Sequence, residues 1–237
     1  MSDTNYEIEL KVLLWNSFPP NTFIKALSKD FKSVVERGEE TQRNHYFEIP
    51  HRSQVIPAFE ERLPIDHEDK ILIADFRNGK DIVIRTREIT KWDTKEVILV
   101  MKSTIDQGTS QNGTTRKELE IKIPMTIEDL DTALVAYAEI KPQAKWSRTR
   151  TTFEVVDKDG FYFTVCLDKN AGYGYIAEFE VVVQNPTVLD STKKKLQDCI
   201  AHMWLKELPA DQLHRMFEFY NKNWETFYQT NNYFFIQ

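Results

Sequence analysis

Charged residues alternate with apolar residues along seven separate stretches of the sequence, so the charged side chains of each stretch share one face. They comprise seven acids and eight bases: Glu7, Glu9, Lys11, Arg85, Arg87, Lys102, Arg116, Glu118, Glu120, Lys122, Arg148, Arg150, Asp168, Glu178 and Glu180. Arginine and lysine bind phosphate oxygens, and clustered carboxylates hold a hard divalent cation that bridges the same phosphates. The set is suited to a highly anionic ligand, because the cation offsets the repulsion between carboxylates and ligand.

A solvated sheet face is the alternative interpretation of this pattern. Antiparallel sheets commonly have one wet face, and cross-strand pairs of opposite charge stabilise it modestly. Such a face also uses Thr, Ser, Gln and Asn, whereas this one consists almost entirely of long charged side chains. A closed barrel with an apolar outside, buttressed by helices, and a charged, watery lumen accounts for all seven stretches at once.

Eight antiparallel strands are predicted to position these side chains. The first strand, Tyr6–Leu14, alternates strictly, and the others are predicted at 44–49, 81–88, 95–102, 115–124, 149–156, 161–168 and 175–184. Helices are predicted at 21–37, 126–138, 190–206 and 209–230, and 51–80 is interpreted as an inserted loop or hairpin with a short strand at 71–76. The fold class is therefore α+β, with residues 1–237 in one domain, a core at about 5–185 and a helical extension at 186–237.

Several common classes of protein and site are excluded by composition and spacing. Lysine and arginine number 31 against 37 acids, a net charge of −6, which does not favour general binding to nucleic acid. No P-loop, dinucleotide-binding glycine pattern or histidine-based zinc spacing occurs. The two cysteines, Cys166 and Cys199, fit the lone thiols of a reducing compartment. With no signal peptide pattern and no run of 18 apolar residues, we expect a soluble, cytoplasmic protein without a membrane partner.

Seven short motifs, in order, resemble those of the CYTH family, the triphosphate tunnel metalloenzymes. Glu7-Ile-Glu9-Leu-Lys11 matches the ExExK signature, and residues 44–50 (NHYFEIP) resemble NxYFDTP. Residues 84–87 (IRTR), 100–102 (VMK) and 116–120 (RKELE) resemble the LRxR, TLK and RxExE strands. Residues 148–150 (RTR) lie where KxR is expected, and 167–180 (LDKNAGYGYIAEFE) resemble the LDxxxGLGxFxEIE ending. ExExK alone is weakly specific, but the ordered set is strongly specific and covers about 5–185.

The resemblance implies an eight-stranded antiparallel tunnel that binds Mg²⁺ or Mn²⁺. The implied metal ligands are Glu7, Glu9 and Glu180, with Glu120, Asp168 and Glu178 nearby. The implied triphosphate-binding residues are Lys11, Arg85, Arg87, Lys102, Arg116, Arg148 and Arg150. Lys11 is also the candidate catalytic residue, orienting the attacking water or acting as a general base of lowered pKa; a simple phosphate contact is the alternative.

Two segments depart from the compact family pattern, and Glu48 stands where aspartate is usual. The segment 51–80 is longer than the short turn expected there and could cover a tunnel mouth. The segment 203–235 is rich in aromatic residues, which indicates packing against the barrel, with a tunnel plug or a homodimer contact as alternatives.

The leading functional hypothesis is hydrolysis of the terminal phosphate of a triphosphate. The substrate would be inorganic triphosphate, thiamine triphosphate, a nucleotide or an RNA 5′ end, the last being the one nucleic acid partner considered. A class IV adenylate cyclase, which converts ATP to cyclic AMP and pyrophosphate, would use the same tunnel. A non-catalytic binder of polyphosphate or nucleotide is the third hypothesis, and the presence of Glu7, Glu9 and Glu180 counts against it.

Overall fold

In a computed structural model of the chain, residues 6–14, 19–49, 52–74, 76, 80–104 and 114–235 are described, with backbone alone at 52–54, 80–81, 104 and 114–116. The strands are β1 (Tyr6–Leu14), β2 (Ser33–Glu48), β3 (Lys80–Lys91), β4 (Thr94–Thr104), β5 (Thr114–Lys122), β6 (Lys141–Val156), β7 (Tyr162–Asn170) and β8 (Gly174–Val183). The helices are α1 (Pro20–Asp30), α2 (Arg52–Arg62), α3 (His67–Ala74), α4 (Ile127–Ala138), α5 (Leu189–His202) and α6 (Ala210–Phe227), and a 3-10 turn spans Pro186–Val188.

The eight strands form a closed antiparallel barrel in the order β1-β5-β4-β3-β2-β6-β7-β8. This confirms the predicted α+β fold and the predicted barrel. Closure places β1 beside β8, with Glu9 opposite Glu180 and Lys11 opposite Glu178. Because side chains alternate along a strand, these four charged residues point to the same side of the barrel wall.

The apolar face of the strands points outward, where helices cover it in two clusters. One cluster packs α2, α3 and α4 on β3, β4 and β5, with Phe59, Ile73, Leu99 and Leu130 fully buried. The other packs α1 and α5 on β1, β6, β7 and β8. Thr126 caps the N-terminus of α4, since its Oγ1 accepts a hydrogen bond from the Asp129 amide at 3.1 Å.

The segment 51–80 was predicted as a loop or hairpin with a strand at 71–76, and this prediction is wrong. Within its described residues the segment contains α2 and α3. Val55, Ile56, Phe59 and Leu63 recur at helical spacing, and all four are buried in the first outer cluster. The two helices therefore cover the outer barrel wall and not a mouth of the tunnel.

Three other predicted boundaries are also wrong. The helix predicted at 21–37 ends at Asp30, because Phe31 is already extended and the β-branched Val34 and Val35 continue into β2. Strands β2 and β6 begin at Ser33 and Lys141, well before the predicted 44 and 149. Their early halves do not alternate strictly between apolar and polar residues, so they lack the signal that marks the other strands.

The C-terminal segment forms two helices, as predicted, and then returns to the barrel. Helix α6 packs on β6 at one end of the barrel, where Tyr220 is fully buried. Beyond the helix, Phe234 donates its amide hydrogen to the carbonyl of Gly172, and Gly172 donates to that of Asn232. In the described ranges no helix has the length and apolar character needed to cross a membrane.

Candidate functional site

The interior of the barrel, here called the lumen, is a cavity of about 660 Å³ whose lining includes many charged side chains. Among the described residues its carboxylates are Glu7, Glu9, Glu40, Glu118, Glu120, Glu178 and Glu180, and its cations are Lys11, Arg85, Arg87, Lys102, Arg148 and Arg150. Seven acids against six bases leave this part of the lumen without net positive charge. A polyanion would therefore be repelled unless a metal cation accompanied it.

Three of these carboxylates form a compact trio. Glu9 on β1 and Glu178 and Glu180 on β8 each place one oxygen within 4.8 Å of the others. Burial raises the pKa of Glu180 to about 7; Arg150 opposes the rise, and the negative charges of Glu178 and Glu7 add to it. Crowded carboxylates of this kind are stabilised when a cation joins them.

The trio is bordered by cations on two sides. Lys11 Nζ lies 2.8 Å from Glu178 Oε1 and is also paired with Glu9, and Arg150 is paired with Glu178. Burial favours the neutral form of Glu178, but the charges of Lys11, Arg150 and Arg148 outweigh it and hold its pKa well below the usual range.

Asp168 lies on the inward face of β7, two residues after the lumen residue Cys166 and opposite Arg150, and it binds two arginines. Its carboxylate is fully buried and accepts bonds from Arg150 Nε at 2.7 Å and Arg150 Nη2 at 2.8 Å. Arg148 Nη1 donates to the same group at 2.5 Å. A bidentate contact fixes the plane of a guanidinium group, so Asp168 orients Arg150. Arg148 is oriented by Asp168 together with Gln42 Oε1, which accepts from Arg148 Nε at 2.8 Å.

The opposite side of the lumen carries a second set of pairs. Lys102 Nζ lies 2.7 Å from Glu7 and 2.8 Å from Glu118. Burial raises the pKa of Glu7. The positive charge of Lys102 opposes this rise, and the contact with Glu118 adds to it. Arg85 Nη1 donates to Tyr46 Oη at 2.9 Å, while its buried Nε has no hydrogen-bond partner among the described residues. Such an unsatisfied donor is suited to an anionic ligand oxygen.

The structure thus brings together Glu9, Glu178 and Glu180 of the six predicted metal ligands. Glu7 is instead paired with Lys102, and Asp168 accepts hydrogen bonds from Arg148 and Arg150. The side chain of Glu120 is 43% exposed and accepts a hydrogen bond from Arg87 Nη1 at 2.7 Å. The predicted substrate-binding residues that line the lumen are Lys11, Arg85, Arg87, Lys102, Arg148 and Arg150. Arg116 pairs with Glu7 in the β-ladder, and its side chain lies outside the described residues.

Several lumen residues were not predicted from the sequence. Glu40 and Gln42 lie in the early part of β2, where no strand was predicted. Tyr46 shares a face with Asn44, and Trp146 precedes Arg148 by two positions, so period-two alternation carried a usable signal for both. Residues from α6 also line the lumen, which the aromatic content of 203–235 raised only as an alternative, the tunnel plug.

A divalent metal fits the carboxylate trio on the chemistry of its donors. Carboxylate oxygens are the ligands that Mg²⁺ and Mn²⁺ prefer. The pKa of Glu180 is raised first by burial and then by the negative charges of Glu178 and Glu7, and a bound cation would offset both costs.

The sequence matches no family model and no curated protein. Solved structures do resemble the chain. The PH1819 protein from Pyrococcus horikoshii is 19% identical with a TM-score of 0.58, over 86% of this chain and 93% of that one. A conserved hypothetical protein from Pyrococcus furiosus is 18% identical with a TM-score of 0.55, over 86% and 92%.

A third similar structure comes from Vibrio parahaemolyticus and is described as a "putative adenylate cyclase". It is 15% identical with a TM-score of 0.55, over 85% of this chain and 90% of that one. At identities this low, the structural similarity shows a common fold and nothing more. This chain therefore shares the fold of these structures, and its strand topology confirms the closed eight-stranded barrel that the ordered motifs implied.

Proposed function

We propose that the protein is a metal-dependent hydrolase that removes the terminal phosphate of a triphosphate bound in the lumen. The observation that carries this proposal is the trio Glu9, Glu178 and Glu180 lying within one cavity with six cationic side chains. Carboxylates alone would suit a bare cation, and cations alone would suit a bare anion. Their combination suits a metal–triphosphate complex.

The arginines and lysines of the lumen would bind and orient the phosphate chain. Arg148 and Arg150 are held in place by Asp168, so little conformational entropy is lost when their remaining donors meet phosphate oxygens. Lys102 and Arg85 approach from the opposite wall. Charge that moves to the bridging and terminal oxygens during phosphoryl transfer would be stabilised from both sides.

Glu9, Glu178 and Glu180 would hold Mg²⁺ or Mn²⁺, with Glu7 beside them. The bound ion would supply charge neutralisation and a polarised water, which are its general contributions to phosphoryl transfer. Lys11 lies against two of these carboxylates, Glu9 and Glu178. We place Lys11 at the attacking water, where its ammonium group would orient the oxygen toward the terminal phosphorus.

A product assay tests the proposal. The purified protein is incubated with Mg²⁺ or Mn²⁺ and, separately, with inorganic triphosphate, thiamine triphosphate, ATP and a 5′-triphosphorylated RNA. We expect one orthophosphate per substrate molecule from at least one of them. Cyclic AMP with equimolar pyrophosphate from ATP would instead establish a cyclase, and binding without any product would leave a non-catalytic binder.

Glu9→Gln provides the variant for this assay. The substitution keeps the shape of the side chain and removes one charge from the trio, so we expect kcat to fall by roughly 100-fold or more. Glu154→Gln is the matched control, because it breaks a pair with Arg37 outside the lumen lining and should keep full activity. Turnover that is unchanged in Glu9→Gln would contradict the assignment of the trio.

A further inference from the structure

A second cavity, here called the outer cavity, has a volume of about 520 Å³ and lies on the outer wall of the barrel. Its floor is a row of cross-strand neighbours whose side chains point outward, in the order Leu14, Tyr175, Lys169, Thr149 and Thr41. Adjacent strands lie about 4.8 Å apart, so the row extends over roughly 19 Å of the wall. The outer cavity meets the lumen at the barrel rim, where Arg148, Asn170 and Tyr173 line both.

One wall of the outer cavity is the segment that follows α6, residues 229–235. Two contacts fix this segment on the barrel. Gln229 donates its amide hydrogen to Ser147 Oγ at 2.8 Å, and Phe234 donates its amide hydrogen to the carbonyl of Gly172. The cavity is therefore formed in the absence of a ligand, which lowers the entropic cost of binding one.

Two aromatic side chains of this wall are largely uncovered. Tyr233 is 67% exposed and Phe235 is 63% exposed, and their rings meet edge-on with centroids 5.4 Å apart. Both side chains line the outer cavity. Apolar surface that faces water in a cavity is stabilised when the apolar part of a ligand covers it. The two rings thus form a contact surface for the body of an organic molecule.

The charge of the outer cavity differs from that of the lumen. No aspartate or glutamate is found among the described residues that line it, although acids outnumber bases in the chain by 37 to 31. Its cations are Arg43, Arg148 and Lys169. Arg43 and Arg148 pair with carboxylates that do not line this cavity, whereas the ammonium group of Lys169 is exposed and has no partner within the described ranges. The hydroxyls of Thr149 and Thr41, next in the row, are further donors for an anionic group.

We propose that the outer cavity binds a small amphiphilic organic anion, with one acidic group on an aromatic or aliphatic body. The acidic group pairs with Lys169 and the neighbouring threonine hydroxyls, and the body packs between Tyr175 and the rings of Tyr233 and Phe235. A volume of about 520 Å³ lies within the roughly 300–1,000 Å³ typical of sites for organic ligands. A polyanion fits less well, because one unpaired lysine gives little charge and the described lining has no carboxylate to hold a bridging metal. The site is independent of the hydrolase function proposed for the lumen.

Titration with 1-anilinonaphthalene-8-sulfonate, an aromatic sulfonate whose fluorescence rises on binding, tests the site. We expect one dye molecule per chain, and we expect it to stay bound when inorganic triphosphate and Ca²⁺ are added to saturate the lumen. The anion 1-naphthoate should displace the dye about tenfold more effectively than the neutral 1-naphthol, because only the carboxylate pairs with Lys169.

Lys169→Gln should weaken dye binding about tenfold, since it removes the one unpaired charge of the described lining. Lys158→Gln is the matched control: it removes an exposed lysine from the turn between β6 and β7, outside the cavity lining, and should bind the dye as the wild type does.

Phe235→Ala should weaken dye binding about fivefold by removing one ring of the wall. Its control is Trp92→Ala, which removes an 87% exposed aromatic side chain from the turn between β3 and β4 and should have no effect.

Three results would overturn the proposal. Displacement of the dye by inorganic triphosphate would place the dye in the lumen. Equal affinities of Lys169→Gln and wild type, or equal displacement by 1-naphthoate and 1-naphthol, would show that no anion site is present. Equal losses in Trp92→Ala and Phe235→Ala would show general adsorption of the dye to exposed aromatic side chains. A protein that hydrolyses no triphosphate but shows the expected dye binding would retain the outer site and lose the hydrolase function.

Discussion

Glu178 and Glu180 lie two residues apart on one face of β8, and their pKa values shift in opposite directions. Both are buried, which favours the neutral acid. Glu178 has Lys11, Arg148 and Arg150 around it, and their charges hold its pKa well below the usual range. Burial raises the pKa of Glu180 to about 7. Arg150 opposes this rise, and the negative charges of Glu178 and Glu7 add to it. The opposite directions of the two pKa shifts are therefore set by the neighbouring charges and not by burial, which both residues share.

These shifts predict opposite effects of substitution in metal-free protein. Between pH 4.5 and 7 the native state binds more protons at Glu180 than the unfolded state does, so this group lowers stability as pH rises. At pH 8 with EDTA, Glu180→Gln should increase the free energy of unfolding by about 2 kcal/mol, and by much less at pH 5. Urea unfolding at the two pH values measures the change.

Glu178→Gln is the matched control for this experiment. The pKa of Glu178 is depressed in the native state, so the ionised carboxylate stabilises that state. This stabilisation is fully present above the pKa of the unfolded state and is lost as the pH falls through the native-state pKa. At pH 8 this substitution should therefore decrease the free energy of unfolding, because it removes one buried counter-charge from both Lys11 and Arg150. The same sign for both variants would contradict the charge environments described here.

At the scale of elements, the β7–β8 turn and the segment after α6 depend on each other. Gly172 has φ of +108° and exchanges backbone hydrogen bonds with Asn232 and Phe234. A Cβ atom at Gly172 would lie 2.8 Å from the ring of Tyr220, which itself stacks on Trp146. The glycine therefore permits both the turn and the close approach of α6 to the barrel.

Gly172→Ala is predicted to destabilise the protein more than Gly174→Ala. Both glycines have positive φ, so each alanine carries backbone strain of about 1–3 kcal/mol. Only at Gly172 must the Tyr220 ring also move, since nothing lies within 4 Å of a Cβ at Gly174. Urea unfolding monitored by tryptophan fluorescence measures the two losses. Equal losses would mean that the fit of Tyr220 against this turn is not tight.

For the whole molecule, barrel closure is what assembles the candidate site. Lys11 and Glu178 are 167 positions apart in the sequence and 2.8 Å apart in space, because the first and last strands of the barrel are neighbours. The seven carboxylates of the lumen are thus held together by the rest of the fold. Metal binding is then coupled to global stability, since the unfolded chain has no such cluster.

Mg²⁺ or Mn²⁺ is accordingly predicted to raise the thermal unfolding temperature. At a free metal concentration 100-fold above Kd the gain is about 2.7 kcal/mol. Glu9→Gln should lose most of the gain, whereas Glu154→Gln, outside the lumen lining, should retain it. Differential scanning fluorimetry across a metal titration measures both. A wild-type unfolding temperature that does not respond to either ion would contradict the metal site.

Strand alternation is a local property, and for this reason the sequence alone determined much of the barrel. Period-two spacing placed Glu7, Glu9 and Lys11 opposite the buried apolar face of β1, and the structure has them there. The order of the motifs implied the tunnel, which the strand topology confirms. The early halves of β2 and β6 escaped prediction because they do not alternate strictly. Helix α2 escaped because Pro57 lies within its helical spacing of apolar residues.

Only the tertiary structure decided which charges meet. The sequence does not distinguish Asp168, which binds Arg148 and Arg150, from Glu180, which joins the carboxylate trio. Nor does it show that Phe217 of α6 reaches the lumen. Partners across a barrel depend on strand register and closure, and helix docking depends on the combined shape of distant surfaces. These are properties of the whole fold and leave no periodic signal in the chain.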